Sequence, residues 1–254
     1  MKITFFLILL TFLLTSSVFF SQEKPELDKL RTESGVDPTR ITSRIAFTVI
    51  FQDPKGDAGK VASRFSINLG VDRWSFSTKF EAAGIMSGLP GSGFNSGVND
   101  LKFSMLNAFY IKDKHALAAS AEFSVPVGKK GISSEYFSVT PALIYSYTIN
   151  PSLFLAVQPQ YTFDLLKDPA YPELSVLSTR VFLAKFLESG YFFVAEPRPI
   201  YEFNSEKFDL ILAAIIGKSL GGGFNLVVLS EFPTQKETYE KGGPFYQFGF
   251  NKAL

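Results

Sequence analysis

Several aromatic stretches of this chain carry charged side chains on alternate positions. In FFVAEPRPIYEF, residues 192–203, Glu196, Arg198 and Glu202 alternate with Ala195, Pro197, Pro199, Tyr201 and Phe203. Lys79, Glu81, Lys102, Glu122, Asp164, Arg180 and Glu231 stand in the same way in other stretches. Charges of both signs on one face of an apolar strand either face water or pair with one another. Other chemistry has few residues to use. The chain has no Cys and one His, which excludes a disulfide scaffold, a Cys metal site and a His-rich metal site. His115, with Ser120 nearby, is the single imidazole that could serve a nucleophilic serine. GLPGSG (88–93) lacks the Gly-Lys-Ser/Thr ending of a phosphate loop, and SLGGGF (219–224) reads as a turn. The carboxylates show no calcium-loop spacing. No cofactor and no metal is expected.

The elements that position these residues are strands. Phe65, Ile67, Leu69 and Val71 alternate with Arg64, Ser66, Asn68 and Gly70; Trp74, Phe76, Thr78 and Phe80 alternate with Ser75, Ser77, Lys79 and Glu81. The same period of two predicts strands over 44–51, 62–71, 74–86, 99–111, 115–127, 136–149, 152–165, 176–188, 191–204, 208–218, 223–232 and 244–254, about twelve in all. The runs at 208–218 and 223–232 alternate least cleanly and read as buried on both faces. Connections alternate between short (72–73, 112–114, 150–151, 189–190, 219–223) and longer (53–60, 87–97, 128–135, 166–174, 204–208, 233–243).

The N-terminus MKITFFLILLTFLLTSSVFFSQ has one Lys, an apolar run and then small and polar residues, the pattern of a secretory signal peptide over 1–21. Residues 22–42 are charged and predict a poorly ordered leader or a short helix, and 43–254 form the strand-rich remainder. An exported chain with long strands, short turns at one rim and longer loops at the other predicts an all-β, antiparallel, up-and-down transmembrane barrel in the outer membrane of a Gram-negative-type bacterium. Apolar residues then face lipid and the charged parity faces the lumen, which explains the opening stretch. Trp74, Phe109, Tyr147 and Tyr191 at one rim and Phe137, Phe163 and Phe203 at the other fit interfacial girdles, and Lys185, on the outward parity, snorkels near the short-turn rim. A soluble β-sandwich would have shorter strands and outer faces richer in Lys and Glu.

The stretch GVNDLKFSMLNAFY, followed by LAASAEFSVPVG and FSVTPALIYSYTINPSLFLAVQPQYTFD, residues 97–164, resembles the outer-membrane transporters named for the phenol-degradation MetA pathway. The likeness lies in a Gly-led strand start with Asp100, in Pro126 and Gly128 at a strand end, and in paired strands around a short turn; Asn99 stands where Gly is expected. It implies an outer-membrane pore that assists the passage of small, in part hydrophobic, molecules.

The expected function is therefore a passive channel or uptake protein for small solutes, with Lys79, Glu81, Lys102, Glu122, Arg180, Glu196, Arg198 and Glu202 along the solute path. The expected partners are outer-membrane lipid and a small-molecule solute. With a net charge of +1 nothing suggests nucleic acid, and no such partner is expected; nothing fixes an oligomeric state. One alternative is a structural barrel whose charges pair across a narrow lumen and close it. Another is a lipid hydrolase, but His115 lies beside the short turn at 112–114 and on the outward parity, away from the outer half where such a site would sit. Pro197 and Pro199 withhold two backbone donors from one seam, either at a local bulge or along a weakened seam that lets an apolar solute leave sideways.

Overall fold

The structure is a computed structural model and describes residues 24–52, 58–87, 94–234 and 243–254. The expected signal peptide and the GLPGSG stretch lie outside the described residues. One helix, α1 (Lys24–Ser34), precedes the strands β1 (Arg44–Gln52), β2 (Ala58–Val71), β3 (Trp74–Ser87), β4 (Phe94–Val98), β5 (Leu101–Lys112), β6 (His115–Val125), β7 (Tyr136–Asn150), β8 (Leu153–Lys167), β9 (Ser175–Phe186), β10 (Tyr191–Glu202), β11 (Lys207–Gly221), β12 (Phe224–Pro233) and β13 (Phe245–Ala253).

Apart from β4 and β5, each strand pairs antiparallel with its sequence neighbours, β1 pairs with β13, and the β2–β3 pairing closes the ring. β4 and β5 both lie against β3, so they are two halves of one wall strand and the barrel is 12-stranded. The strand predicted from residue 99 thus starts at Phe94 and breaks at Asn99–Asp100. The break has a cause: Asn99 gives its backbone N–H to Glu81 O (2.8 Å), while Asp100 turns to the β6–β7 loop. β2 also begins earlier than its alternation shows, at Ala58.

The alternation sorts the two faces. Phe65, Ile67, Leu69 and Val71 on β2, Trp74, Phe76 and Phe80 on β3, and Phe248 and Phe250 on β13 are exposed on the outer surface. Trp74, Phe109, Tyr191 and Phe203 are exposed near the strand ends, as a girdle requires. Lys185 reaches Ser152 Oγ (3.0 Å) in the turn at the short-turn rim. In β11, Ile211 to Ala214 are buried in succession, so there burial does not alternate. Two of the short turns place an aspartate in the left-handed region, Asp72 and Asp113, each at φ 52°, a conformation that Asp tolerates better than branched residues.

The leader takes the short-helix alternative, but in a place that the sequence did not indicate. Residues 24–34 form an ordered helix that lies inside the barrel at the short-turn end. Glu26 in the first turn and Arg31 in the last suit the helix dipole, and Gly35 at φ 70° ends it. Leu27 and Leu30, on one face, pack against Phe154, Ala156, Phe182, Ala184, Phe186, Phe192 and Val194, all on the inward parity of β8, β9 and β10. Burial of the two leucines contributes about 1.5–3 kcal/mol each. Gly217 makes room for this cluster, since a Cβ there would strike the Phe192 ring.

Polar ties complete the docking. Arg31 is 3% exposed and Asp37 fully buried. Arg31 Nε donates to Asp37 Oδ2 (2.6 Å) and Nη1 to Thr148 Oγ1 on β7 (2.7 Å), and the guanidinium lies 4.3 Å over the Phe154 ring. Asp37 accepts from the Thr39 N–H (2.9 Å) and hydroxyl (2.8 Å) as well, so the buried charge pair is compensated. Asn225 Nδ2 donates to Glu33 O (3.1 Å) and Asn251 Nδ2 to Ser34 O (3.2 Å), which satisfies carbonyls that a helix end leaves without partners.

Candidate functional site

Above α1 the lumen opens into a chamber of about 1060 Å³ that reaches from Gly35 and Pro38 to Tyr136, Leu174 and Phe245 near the long-loop end. Much of its wall is neutral and polar, with Ser66, Ser77, Ser120, Thr140, Gln158 and Gln160 among the lining residues. Alternation places each of them inward, on the face opposite the lipid-facing residues.

The charged positions form three groups along the wall. Glu81 accepts from Lys60 Nζ (3.0 Å), Arg64 Nη2 (2.7 Å) and Asn99 Nδ2 (2.6 Å). Glu122 is shared by Lys79 Nζ (2.6 Å) and Lys102 Nζ (3.5 Å). Glu196, fully buried, takes Arg180 through two bonds (2.7 and 2.9 Å) and also accepts from Arg198 Nη2 (2.7 Å), which reaches Glu231 as well (2.9 Å). The pairs lie within β10 or join strands adjacent in the wall or one apart. They do not reach across the lumen, and α1 occupies the lumen at its short-turn end.

Glu202 stands apart from these groups: it accepts from the Ser205 hydroxyl (2.6 Å) in the turn after β10. Asp164 likewise lies at the long-loop end, accepting from the Leu174 N–H (2.5 Å). Asp168, in the loop beyond, is held below the ordinary carboxylate range, chiefly by the Ala170 N–H.

Several residues escaped the sequence reading. Lys60 was assigned to a loop, and Arg44 and Arg64 were seen only as strand positions. Asp100 was noted for its place in a motif, yet its role is spatial. It accepts from Ser124 Oγ (3.0 Å), the Ser134 N–H (2.9 Å) and the Ser133 hydroxyl, and so holds the β6–β7 loop at the long-loop mouth. Ile132 of that loop packs on Ile50, Ala62 and Ala83, all on inward parities. Gly128 passes so close to Val98 O that a Cβ would collide with it, which brings the two ends of the motif together.

The seam between β9 and β10 has a gap. Ala195 lies opposite Leu183 and Ile200 opposite Ser178, and no pairing joins them in between. The register is the same on both sides of the gap, so the prolines do not sit in a bulge there. Phe203 N–H donates to Ser175 O (3.0 Å) and Tyr191 O accepts from Leu187 N–H (2.8 Å), so odd positions of β10 turn their backbone polar groups toward β9. Pro197 and Pro199 therefore leave the carbonyls of Val181 and Thr179 facing no donor. The other seam of β10, with β11, is continuous from Tyr191 to Glu202. On the lumen side the gap is spanned by the Arg180–Glu196 pair.

His115 is exposed at the short-turn rim, with Nδ1 2.8 Å from Tyr145 Oη and its ring against Tyr147 at 5.0 Å. Ser120 lies on the opposite face of β6 and lines the chamber, so the two cannot act as a couple. Among the described residues no group of His, Cys, Asp or Glu could hold a metal ion, and no helix is long and apolar enough to cross a membrane.

No protein-family model matches the chain, and no curated protein does. Solved structures do match. The COG4313 outer membrane channel from Pseudomonas putida F1 is 9% identical, with a TM-score of 0.66 over 84% of this chain and 96% of that one. The NanC porin is 12% identical, with a TM-score of 0.60 over 82% and 100%. The KdgM porin in complex with disordered oligogalacturonate is 10% identical, with a TM-score of 0.59 over 83% and 99%. At such identities the likeness is one of fold: the chain is a closed, 12-stranded β-barrel of the bacterial outer-membrane type, the architecture of porins and channels.

Proposed function

We propose that this barrel passes small, partly apolar solutes, which enter the chamber from the long-loop end and leave sideways between β9 and β10. The observation that carries the reading is the pairing of a filled end with a seam short of backbone donors. α1 fills the lumen at the short-turn end, while the wall beside the chamber lacks backbone pairing from Glu196 to Pro199. Long loops face the cell exterior and short turns the periplasm in barrels of this class, which sets the direction of entry. The outer mouth has an apolar lining suited to such solutes: Leu174, Val176, Ile200 and Ile211 cluster on one side and Ile50, Ala62, Ala83 and Ile132 on another. The fold of porins and channels and the sequence likeness at 97–164 support the same class, and no catalytic role is assigned to His115. The plug by itself favours a second reading, a closed structural barrel.

The double substitution Pro197→Thr with Pro199→Thr tests the choice. It restores two donors to carbonyls whose orphaning costs about 1–3 kcal/mol each. Slower uptake of apolar solutes into proteoliposomes, with unchanged ion conductance, is expected. Unaltered uptake together with raised thermal stability would end the sideways route. Absence of uptake by the unmodified protein as well would favour the closed barrel.

A further inference from the structure

The chamber is uneven in charge. Its lining holds Arg44, Lys79, Lys102, Arg180 and Arg198 against the carboxylates of Asp100, Glu122 and Glu231. Glu196, buried behind Arg180 and Arg198, balances the β9–β12 side. The surplus sits on the wall made by β1 to β6. There Lys79 and Lys102 stand directly opposite each other in register and share one carboxylate, Glu122. Like charges in that arrangement destabilise a sheet unless a further anion offsets them. Arg44 lies at the floor of the chamber against Gly35, and its guanidinium has no hydrogen-bond or ion-pair partner among the described residues. Asp100 is taken up by the serines of the β6–β7 loop, and the adjoining Lys60–Glu81–Arg64 group adds one more positive charge. Asp164, Glu202 and Asp209 lie toward the long-loop end and do not line the chamber. The facing wall is different: Ile144, Leu174, Val176 and Ile200 line it without a surplus of either sign.

From this we infer that the chamber selects amphipathic anions, solutes with an apolar body and an acidic group. The acid lies against Arg44, Lys79 and Lys102, and the body against the β7–β10 wall. The inference rests on the proposed passage of small, partly apolar solutes and names their chemical class. Surplus cations in a narrow lumen of low-dielectric walls attract an anion more strongly than in water, and the apolar wall gains from covering an alkyl or aryl group.

The test is calorimetric titration of the full mature protein in zwitterionic lipid nanodiscs, with empty nanodiscs as the blank. The probes are octanesulfonate, octyltrimethylammonium and methanesulfonate, whose charges do not depend on pH. Octanesulfonate is expected to bind at least about tenfold more tightly than either of the others. Arg44→Gln, which strands no carboxylate, is expected to weaken octanesulfonate about tenfold and leave octyltrimethylammonium unchanged. Lys79→Gln with Lys102→Gln provides a second variant, and heat-modifiable gel mobility checks that each barrel is folded. Equal affinity for the cationic probe, or for methanesulfonate, overturns the inference even if neither variant folds. A preference that survives both folded variants also overturns it. Proteoliposome uptake of octanesulfonate separates the two readings: selective binding without uptake would count against passage and leave the selection standing.

Discussion

Two seams of the barrel each lose two backbone donors to proline, and they respond differently. Between β7 and β8 the prolines come one from each strand, Pro141 and Pro159. Pairing there thins, yet Val139–Phe163, Ala142–Gln160 and Tyr145–Val157 remain in register. Between β9 and β10 both prolines come from β10, two residues apart, and pairing stops from Ala195 to Ile200. The β8–β9 seam that separates them is unbroken from Leu153 to Phe163. Donors lost on alternate strands leave intact pairs between them, whereas donors lost in succession on one strand leave none. The lumen-side reinforcement differs in the same sense. Thr140 and Thr162 hydroxyls meet across the first seam (2.9 Å), but the second has a doubly bonded Arg180–Glu196 pair. The arrangement makes β8 and β9 a paired unit with a weak line on either flank, the weaker of which is bridged by charge.

Three experiments would break or sharpen this contrast. The largest effect is expected from removing α1, residues 24–34. If the seam is a sideways route and the helix the axial barrier, planar-bilayer recordings should change from quiet to resolved ion steps, while apolar-solute uptake persists. A barrel that stays quiet would mean that the helix is not what closes the axis.

Next in size is Glu196→Leu, which strands Arg180 and leaves Arg198 to Glu231, and should cost about 3–5 kcal/mol in barrel stability, read as a lower midpoint of heat-modifiable migration. Thr140→Val with Thr162→Val, at the other seam, removes both hydroxyls together and should be nearly neutral. Equal losses at the two seams would remove the distinction between them.

The smallest expected effect is on rate alone. Ser178→Cys with Ile200→Cys places thiols on a directly opposed pair at the edge of the gap, where cross-strand distances suit a disulfide. The chain has no native Cys to interfere. Oxidation should slow apolar-solute uptake several-fold, as a rough guide, and a reductant should restore it. The matching bridge, Ala142→Cys with Gln160→Cys between β7 and β8, should leave uptake unchanged; a similar slowing from both would show that whole-barrel rigidity, not this seam, sets the rate.

What the sequence determined by itself is what a strand carries within its own length. Period two assigned Phe65 and Leu69 to lipid and Lys79 and Arg180 to the lumen, because successive side chains point to opposite faces. The same rule showed that Pro197 and Pro199 deprive a single seam. Loop lengths and strand lengths pointed to the barrel. The tertiary structure alone decided what depends on partners distant in the chain. Glu122 could have met any nearby cation until ring closure and register set it between Lys79 and Lys102. The break at Asn99–Asp100 follows from Glu81 and the β6–β7 loop, neither of which is next to it in sequence. Whether the prolines sat in a bulge or in an interrupted ladder was a matter of register on two strands. The helix was the least legible. With Leu27 and Leu30 as its main apolar contacts, α1 is too polar to announce a buried face. It enters the lumen because residues from seven strands, from Ser146 on β7 to Asn251 on β13, supply the apolar surface, the hydroxyls and the amides that its side chains and last carbonyls require.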